Sequence, residues 1–277
     1  MTKRHINSAL AAFAFVTMLS GCKTDATLQR VHFATAAFPG GSMPKNVWAD
    51  IQKPEGAGPF PTVIILHGCS GISSHQTQWA SKLVSWGYAA FVLDSFGPRG
   101  EKEICSNPAA VRPEVRMSDI IAAVEYINEQ PWAAKQRIGL LGHSHGGYTL
   151  LRAVQSRFLL QESGVKAAVA YYPLCDEQRD RDIAIPTQIF IGEADDWTPA
   201  RLCKQLETSR LLKRPDLLQV TYYPGTYHSF DRVGLKPTKF NAVSLSGAVE
   251  PHHLEFNEAV TADAEAKTKA FLDARLR

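Results

Sequence analysis

Short apolar runs alternate with amphipathic stretches along most of the chain. Six of these runs are nearly continuous: Thr62–Leu66, Tyr88–Leu93, Arg137–Leu141, Lys166–Tyr171, Thr187–Ile191 and Leu218–Tyr223. Runs of this length without polar alternation are typical of strands buried on both faces of a parallel sheet. Two earlier stretches, Leu28–Ala37 and Asn46–Gln52, predict an opening pair of strands.

Helical periodicity fills the intervals between these strands. The amphipathic stretches are His75–Trp86, Val115–Asn128, Gly147–Phe158, Pro199–Leu212 and Ala262–Leu276. Such alternation predicts right-handed βαβ units, with a mostly parallel central sheet and helices on both faces. In an α/β fold of this kind the functional loops lie at the carboxyl ends of the strands. Catalytic or binding side chains are therefore expected directly after the strands.

The N-terminal segment has the pattern of an export signal. Lys3 and Arg4 precede an apolar run from Ala9 to Leu19, and small residues follow. A helix over that run reaches about 16 Å, which is too short for a hydrocarbon core of about 30 Å. The pattern therefore predicts a cleaved signal over residues 1–21 and no spanning helix.

The signal ends in Leu-Ser-Gly-Cys at residues 19–22, which resembles the lipobox of bacterial lipoproteins. In a lipobox the cysteine carries the lipid and becomes the new N-terminus, so we expect a lipid anchor on Cys22. A tether over residues 22–29 and one folded domain over 30–277 would follow. Lys23 stands where Asp would indicate retention in the inner membrane, so the outer membrane of the cell envelope is favoured. The alternative is an exported protein in which Cys22 is incidental.

Composition and charge narrow the function classes. Of the 277 residues, 45% are apolar and 21% charged, which excludes a disordered chain and supplies a large core. The formal net charge is +3, and two of the cations lie in the predicted signal. This balance gives no reason to expect nucleic acid as a partner. No protein partner is indicated either.

The strongest chemical motif is G-x-S-x-G, present as GHSHG over residues 142–146. It stands between an apolar run and a helical pattern, where a sharp turn exposes the serine as a nucleophile. The glycines two positions either side of Ser144 are needed because larger side chains would collide at such a turn. Ser144 is therefore the predicted nucleophile.

A serine hydroxyl needs a base, and the base needs an orienting carboxylate, here in the order Ser, acid, His. The loop GEADDWTP after Thr187–Ile191 supplies Asp195 or Asp196, and the loop after Leu218–Tyr223 supplies His228. Taken singly, either aspartate could instead cap the next helix. The backbone amides of His145 and Cys69 are the expected oxyanion donors.

Neither a metal nor a cofactor is predicted. The pairs His143/His145 and His252/His253 lack metal-ligand spacing backed by a cysteine or carboxylate cluster. The glycines form neither a G-x-G-x-x-G nor a P-loop motif.

Five segments together resemble the dienelactone hydrolase family of α/β-hydrolases: HGCSG, DSFGPRG, RIGLLGHSHGG, GEADDWTP and YPGTYHSFD. The resemblance extends over residues 62–231. It implies Ser144 as nucleophile, Asp195 rather than Asp196 as acid, His228 as base, and the amides of Cys69 and His145 as oxyanion donors. The founding enzymes carry cysteine as nucleophile and act in the cytoplasm. The serine therefore points towards a general ester hydrolase acting on a small-molecule ester.

The predicted export signal leads us to expect disulfides, because an exported chain meets an oxidising compartment, and the resemblance implies how the cysteines pair. The sheet of this fold places the strands before Cys69 and Cys105 side by side, and likewise the elements before Cys175 and Cys203. We expect the pairs Cys69–Cys105 and Cys175–Cys203.

Three further side chains near the expected site have open roles. Arg99 follows a strand, where its fork of donors could bind a substrate carboxylate. Alternatively, Glu101 or Glu103 could hold it in its own loop. Trp79 and Trp197 are interpreted as packing residues.

The sequence therefore predicts a serine ester hydrolase, with lactones as possible substrates. Two alternatives remain. One is a peptidase of the prolyl-oligopeptidase kind, although no propeller precedes the catalytic domain. The other is a binding lipoprotein that kept the fold and lost activity, which would have no need for all three catalytic side chains.

Overall fold

The computed structural model describes residues 28–35 and 45–277. Eight strands form one sheet, in the order β1-β2-β4-β3-β5-β6-β7-β8. Their bounds are β1 Gln29–Ala34, β2 Asn46–Gln52, β3 Phe60–Leu66, β4 Ala89–Asp94, β5 Ala133–His143, β6 Val165–Tyr171, β7 Thr187–Gly192 and β8 Leu218–Tyr223. Strand β2 is antiparallel to both its neighbours, and the pairings from β4 to β8 are parallel. The predicted α/β class is confirmed.

Five helices cover the two faces of this sheet: α1 Ser74–Ser85, α2 Pro113–Glu129, α3 His145–Ala153, α4 Ala200–Thr208 and α5 Glu258–Leu276. Helices α2, α3 and α4 share one buried apolar cluster with the strands, and α1 and α5 share the other. Because both faces are covered, the strands carry apolar residues without alternation.

Close packing of α5 depends on a small residue in the sheet. A methyl group on Gly139 of β5 would lie 3.0 Å from a terminal carbon of Leu276 and 3.3 Å from one of Leu272. Both leucines are fully buried. Burying a leucine side chain is worth about 1.5–3 kcal/mol, so this contact anchors the end of the chain to the sheet.

Two helices are shorter than predicted. The stretch predicted as a helix to Phe158 leaves α-helical geometry after Ala153 and continues as a 3₁₀ turn over Ser156–Phe158. The reason is a competing backbone pairing: the Ser156 amide donates to the Asp182 carbonyl at 2.9 Å, and the Ala184 amide donates to the Val154 carbonyl at 2.9 Å. Helix α4 ends at Thr208 rather than Leu212.

A β-hairpin lies outside the sheet, in a stretch for which the sequence pattern predicted neither a strand nor a helix. It consists of β9 Thr238–Val243 and β10 Val249–Leu254. The hairpin is fixed to the rest of the protein near the strand ends, since the Val243 amide donates to the Cys105 carbonyl at 2.9 Å.

The predicted signal over residues 1–21 and Cys22 lie outside the described residues. Within the part of the chain that the structure describes, no helix has both the length and the apolar character needed to cross a bilayer.

Candidate active site

Ser144 lies on a strained turn between β5 and α3. Its backbone has φ 52° and ψ −117°, a conformation that residues other than glycine rarely adopt. A methyl group on Gly142 would lie 2.6 Å from the Gly146 carbonyl oxygen, and one on Gly146 would collide with the carbonyl oxygen of Leu66. Both glycines of the motif are therefore required by the close approach of backbone segments.

The three predicted catalytic side chains form one hydrogen-bonded chain. The Ser144 hydroxyl donates to Nε2 of His228 at 3.0 Å, and Nδ1 of His228 donates to Oδ2 of Asp195 at 2.7 Å. The imidazole and the carboxylate are almost fully buried. Ser144, His228 and Asp195 follow β5, β8 and β7 respectively, so the carboxyl ends of three parallel strands of one sheet bring them together.

Asp195, and not Asp196, faces His228. One carboxylate oxygen of Asp195 accepts the backbone amides of Trp197 and Thr198 at 2.9 and 2.8 Å, and the other accepts the Thr198 hydroxyl at 2.8 Å. The Asp196 carboxylate is 42% exposed and accepts the backbone amide of His253. The geometry therefore distinguishes the two aspartates that the sequence left open.

Thr198 has a role that the sequence did not reveal. Besides donating to Asp195, its hydroxyl oxygen lies 3.2 Å from Nδ1 of His228 and 3.1 Å from the Tyr172 carbonyl oxygen. It lies in the GEADDWTP segment, but nothing in that pattern distinguishes a threonine that orients an acid from one that begins a helix. Thr198 fixes the position of the carboxylate relative to the imidazole.

The loop after β3 lies against the serine. A methyl group on Gly68 would be 3.6 Å from the Cβ atom of Ser144. The next residue, Cys69, lines the same cavity as Ser144 and His145. The loop is braced by the Cys69–Cys105 disulfide and by the Ile104 amide, which donates to the Cys69 carbonyl at 2.8 Å.

The second disulfide joins Cys175, after β6, to Cys203 in α4. Helix α4 begins shortly after the loop that carries Asp195. Both disulfides of the structure have the pairing expected from the sequence, and each fastens a loop of the site.

A cavity of about 390 Å³ opens onto Ser144. Its wall includes apolar side chains from several segments, namely Ile104, Pro108, Leu174, Trp197, Val243 and Leu245. The Trp197 ring centroid lies 4.9 Å from that of His228, so this tryptophan forms part of the site in addition to packing. The hairpin contributes the last two residues.

Arg99 does not line this cavity. Its guanidinium donates to both oxygens of Asp119 on α2, at 2.9 and 2.8 Å, and to the Ser95 carbonyl at 2.8 Å. The structure therefore supports neither the expected substrate contact nor the alternative pairing with Glu101 or Glu103. The partner lies 20 positions away in sequence, on an element whose orientation the local motif does not reveal.

A buried polar cluster lies behind the serine and the imidazole. The Asp231 carboxylate accepts hydrogen bonds from His75 Nε2 at 3.0 Å, Trp79 Nε1 at 2.8 Å and the Tyr172 hydroxyl at 2.6 Å. His143 Nε2 lies 3.2 Å from the same carboxylate. Burial alone would raise the pKa of Asp231, but the two histidines lower it well below its usual value. The Tyr172 ring centroid lies 4.5 Å from that of His228, so the cluster supports the site from behind.

The same cluster brings together three groups of a kind that can bind a metal ion. The ligand atoms of His75, His143 and Asp231 lie within 4.8 Å of one another. The sequence showed no such spacing, because 156 positions separate His75 from Asp231. Both oxygens of Asp231 already accept protein donors, so the observed arrangement is a hydrogen-bond network.

A mostly parallel sheet with a serine on the turn between a strand and a helix defines the α/β-hydrolase class. The model of the "Dienelactone hydrolase family" matches residues 48–275. The chain therefore belongs to the dienelactone hydrolase family, and with it to the carboxylic ester hydrolases.

Individual relatives are distant. A "Probable 2-oxo-3-(5-oxofuran-2-ylidene)propanoate lactonase" of a Bradyrhizobium species is 24% identical over 202 residues, covering 66% of this chain and 78% of the relative. The "Bis(hydroxyethyl) terephthalate hydrolase" of Streptomyces coelicolor is 25% identical over 146 residues, covering 51% of this chain and 42% of the relative.

A solved structure shares the fold. The dienelactone hydrolase of Anabaena variabilis superposes with a TM-score of 0.60 at 19% identity, covering 90% of this chain and 99% of the other. At this identity the likeness concerns the fold alone.

Proposed function

We propose that this chain hydrolyses small carboxylic esters, lactones included, through an acyl-enzyme on Ser144. The observation that carries the proposal is the hydrogen-bonded chain from the Ser144 hydroxyl through His228 to Asp195, at 3.0 and 2.7 Å. A hydroxyl, a base and an orienting carboxylate in this order are the parts that nucleophilic acyl transfer needs. Family membership and the lactonase and ester hydrolase names of two relatives support the same reaction class.

The first half of the reaction forms the acyl-enzyme. His228 Nε2 takes the hydroxyl proton of Ser144 while the oxygen attacks the ester carbonyl carbon. The carbonyl oxygen becomes an oxyanion, which accepts the backbone amides of Cys69 and His145. Losing one such donor typically raises the barrier by about 3–4 kcal/mol. His228 then gives its proton to the leaving alkoxide, and the alcohol departs.

The second half regenerates the enzyme by the same route. Water donates a proton to His228 and attacks the acyl carbon. The resulting oxyanion accepts hydrogen bonds from the same two backbone amides. Collapse of the intermediate breaks the bond to the Ser144 oxygen, which recovers its proton from the imidazolium. Asp195 remains hydrogen-bonded to Nδ1 throughout and stabilises the positive ring.

The cavity favours substrates of modest size. At about 390 Å³ it is near the lower end of the range for small-molecule pockets, and much of its wall is apolar. We expect short acyl chains, such as acetate and butyrate, to be cleaved faster than long ones.

Turnover of p-nitrophenyl acetate and butyrate tests the proposal. Ser144→Ala removes the nucleophile and is expected to lower kcat by at least about 10⁴-fold. Ser85→Ala is a matched control, because this exposed serine at the end of α1 does not line the cavity. A folded Ser144→Ala variant with unchanged turnover would contradict the proposal. Faster cleavage of dipeptide p-nitroanilides than of esters would favour the peptidase alternative.

A further inference from the structure

Arg116 of α2 is a buried cation without an ion-pair partner in the described part of the chain. Its relative exposure is 0%. Asp119 and Asp94 act on its charge, yet among the residues that the structure describes no carboxylate forms an ion pair with its guanidinium. Asp119 is bound instead by Arg99. Burying a charge without a bound counter-charge is unfavourable, so another role must explain this side chain.

The guanidinium bridges the two segments that carry the proposed oxyanion donors. Its Nη2 donates to the backbone carbonyl of His67 at 2.8 Å, and its Nη1 donates to Nδ1 of His145 at 2.8 Å. His67 begins the loop that leads to Cys69, and His145 directly follows Ser144. One side chain therefore touches both halves of the site where the oxyanion is expected.

The two bridged segments are themselves in contact. A methyl group on Gly146 would lie 2.7 Å from the His67 carbonyl oxygen, the same atom that accepts from Arg116. The Phe96 ring lies over the guanidinium, with 5.1 Å from Cζ to the ring centroid, and also packs on the His67 ring. This planar fork is held between two acceptors, a geometry that a lysine ammonium does not reproduce.

The Arg116 guanidinium is charged at neutral pH, whereas the imidazole rings of His67 and His145 are not. Burial lowers the pKa of Arg116 to about 9, so the group stays protonated at neutral pH. Burial, and next the Arg116 charge, lower the pKa of the His67 and His145 rings well below the usual value. Both rings are therefore neutral at this pH, and of these three side chains Arg116 alone carries a charge.

We propose that Arg116 is a positioning residue for the proposed hydrolysis: its guanidinium holds the Cys69 and His145 amides in place and adds positive charge behind them. The inference rests on the proposed function. Arg116 does not line the cavity, so it acts on the barrier to acylation and leaves ground-state binding of the ester unchanged.

The test compares Arg116→Lys and Arg116→Met with the wild type in p-nitrophenyl butyrate turnover. We expect kcat to fall by about 10- to 100-fold in the lysine variant and further in the methionine variant, with KM within about twofold. The second-order rate of Ser144 modification by a fluorophosphonate should fall by a similar factor, because its tetrahedral adduct needs the same amides.

Arg152→Lys is the matched control. Arg152 is also buried, but its guanidinium lies 3.1 Å from Asp180 and 3.4 Å from Asp176 and makes no contact with His67 or His145. This variant is expected to lose thermal stability and to keep kcat within about twofold. An equal kcat loss in both lysine variants would mean that any buried guanidinium has this effect, and would overturn the inference.

A second variant leaves Arg116 in place, in case its replacement prevents folding. His145→Leu removes the Nδ1 acceptor and keeps the backbone amide, and we expect about a fivefold or greater loss of kcat. Wild-type kcat in this variant, or in folded Arg116 variants, would overturn the inference. If the wild type itself hydrolyses no ester, the proposed function fails, which is a distinguishable result.

Discussion

Asp195 and Asp196 are adjacent in sequence but occupy opposite environments. The first is 4% exposed and is held by two backbone amides, a hydroxyl and an imidazole. The second has a carboxylate that is 42% exposed, with Lys239 3.7 Å away. A buried carboxylate that holds one tautomer of a histidine is worth far more to catalysis than an exposed one.

Replacing each aspartate by asparagine should separate these roles. Asp195→Asn allows the wrong tautomer of His228, so we expect kcat for p-nitrophenyl butyrate to fall by about 10⁴-fold. Asp196→Asn loses only surface contacts, so kcat should stay within about threefold of the wild type. Circular dichroism establishes that both variants fold. A larger loss in Asp196→Asn than in Asp195→Asn would contradict the assignment.

The role of a single residue was predictable where a short sequence motif fixes both the chemistry of its side chain and the conformation of its backbone. Ser144 and His228 follow strands in the order that acyl transfer in this fold requires, so sequence was sufficient to bring them into consideration. Thr198, Asp231 and Arg116 carried no such signal. The partners of Asp231 and Arg116 lie between 29 and 156 positions away, and only the packed structure shows those pairs.

At the scale of elements, buried strands were predicted best. Strands β2 and β8 have the predicted bounds, because each is delimited by a change from apolar to turn-forming residues. Strand β5 extends further back than predicted, to Ala133, through the exposed residues 135–137. The exposed residues 135–137 interrupt the apolar pattern, so the run did not show that the strand begins at the buried Ala133.

The hairpin of β9 and β10 was missed because half of its strand residues are exposed and neither strand shows an apolar run. Its position depends on tertiary contacts, including Trp197 Nε1, which donates to the Val243 carbonyl at 3.1 Å. Through Val243 and Leu245 this hairpin forms one wall of the cavity. An element invisible to periodicity therefore contributes to the size of the pocket.

For the whole molecule, we propose that the hydrolase domain is exported and held at a bacterial membrane by a lipid on Cys22. The signal-like pattern and the lipobox-like ending of residues 1–22 support this proposal. So do the two disulfides, which are common in oxidising compartments and rare in the cytosol.

Metabolic labelling with palmitate tests the anchor. The wild-type chain expressed in a Gram-negative host should incorporate the label and fractionate with membranes. Cys22→Ala removes the thiol that receives the lipid and should abolish both. Lys23→Ala, which keeps the thiol, should remain labelled. Equal incorporation in the wild type and in Cys22→Ala would refute the anchor without affecting the proposed chemistry.

The proposed chemistry depends on a reactive hydroxyl at one position and a base at another. Mass spectrometry after treatment with a fluorophosphonate measures this dependence directly. We expect one adduct per chain, on Ser144, none at that position in Ser144→Ala, and labelling slowed by at least about 10³-fold in His228→Gln. A folded wild-type protein that forms no adduct on Ser144, or a His228→Gln variant labelled at the wild-type rate, would contradict the mechanism.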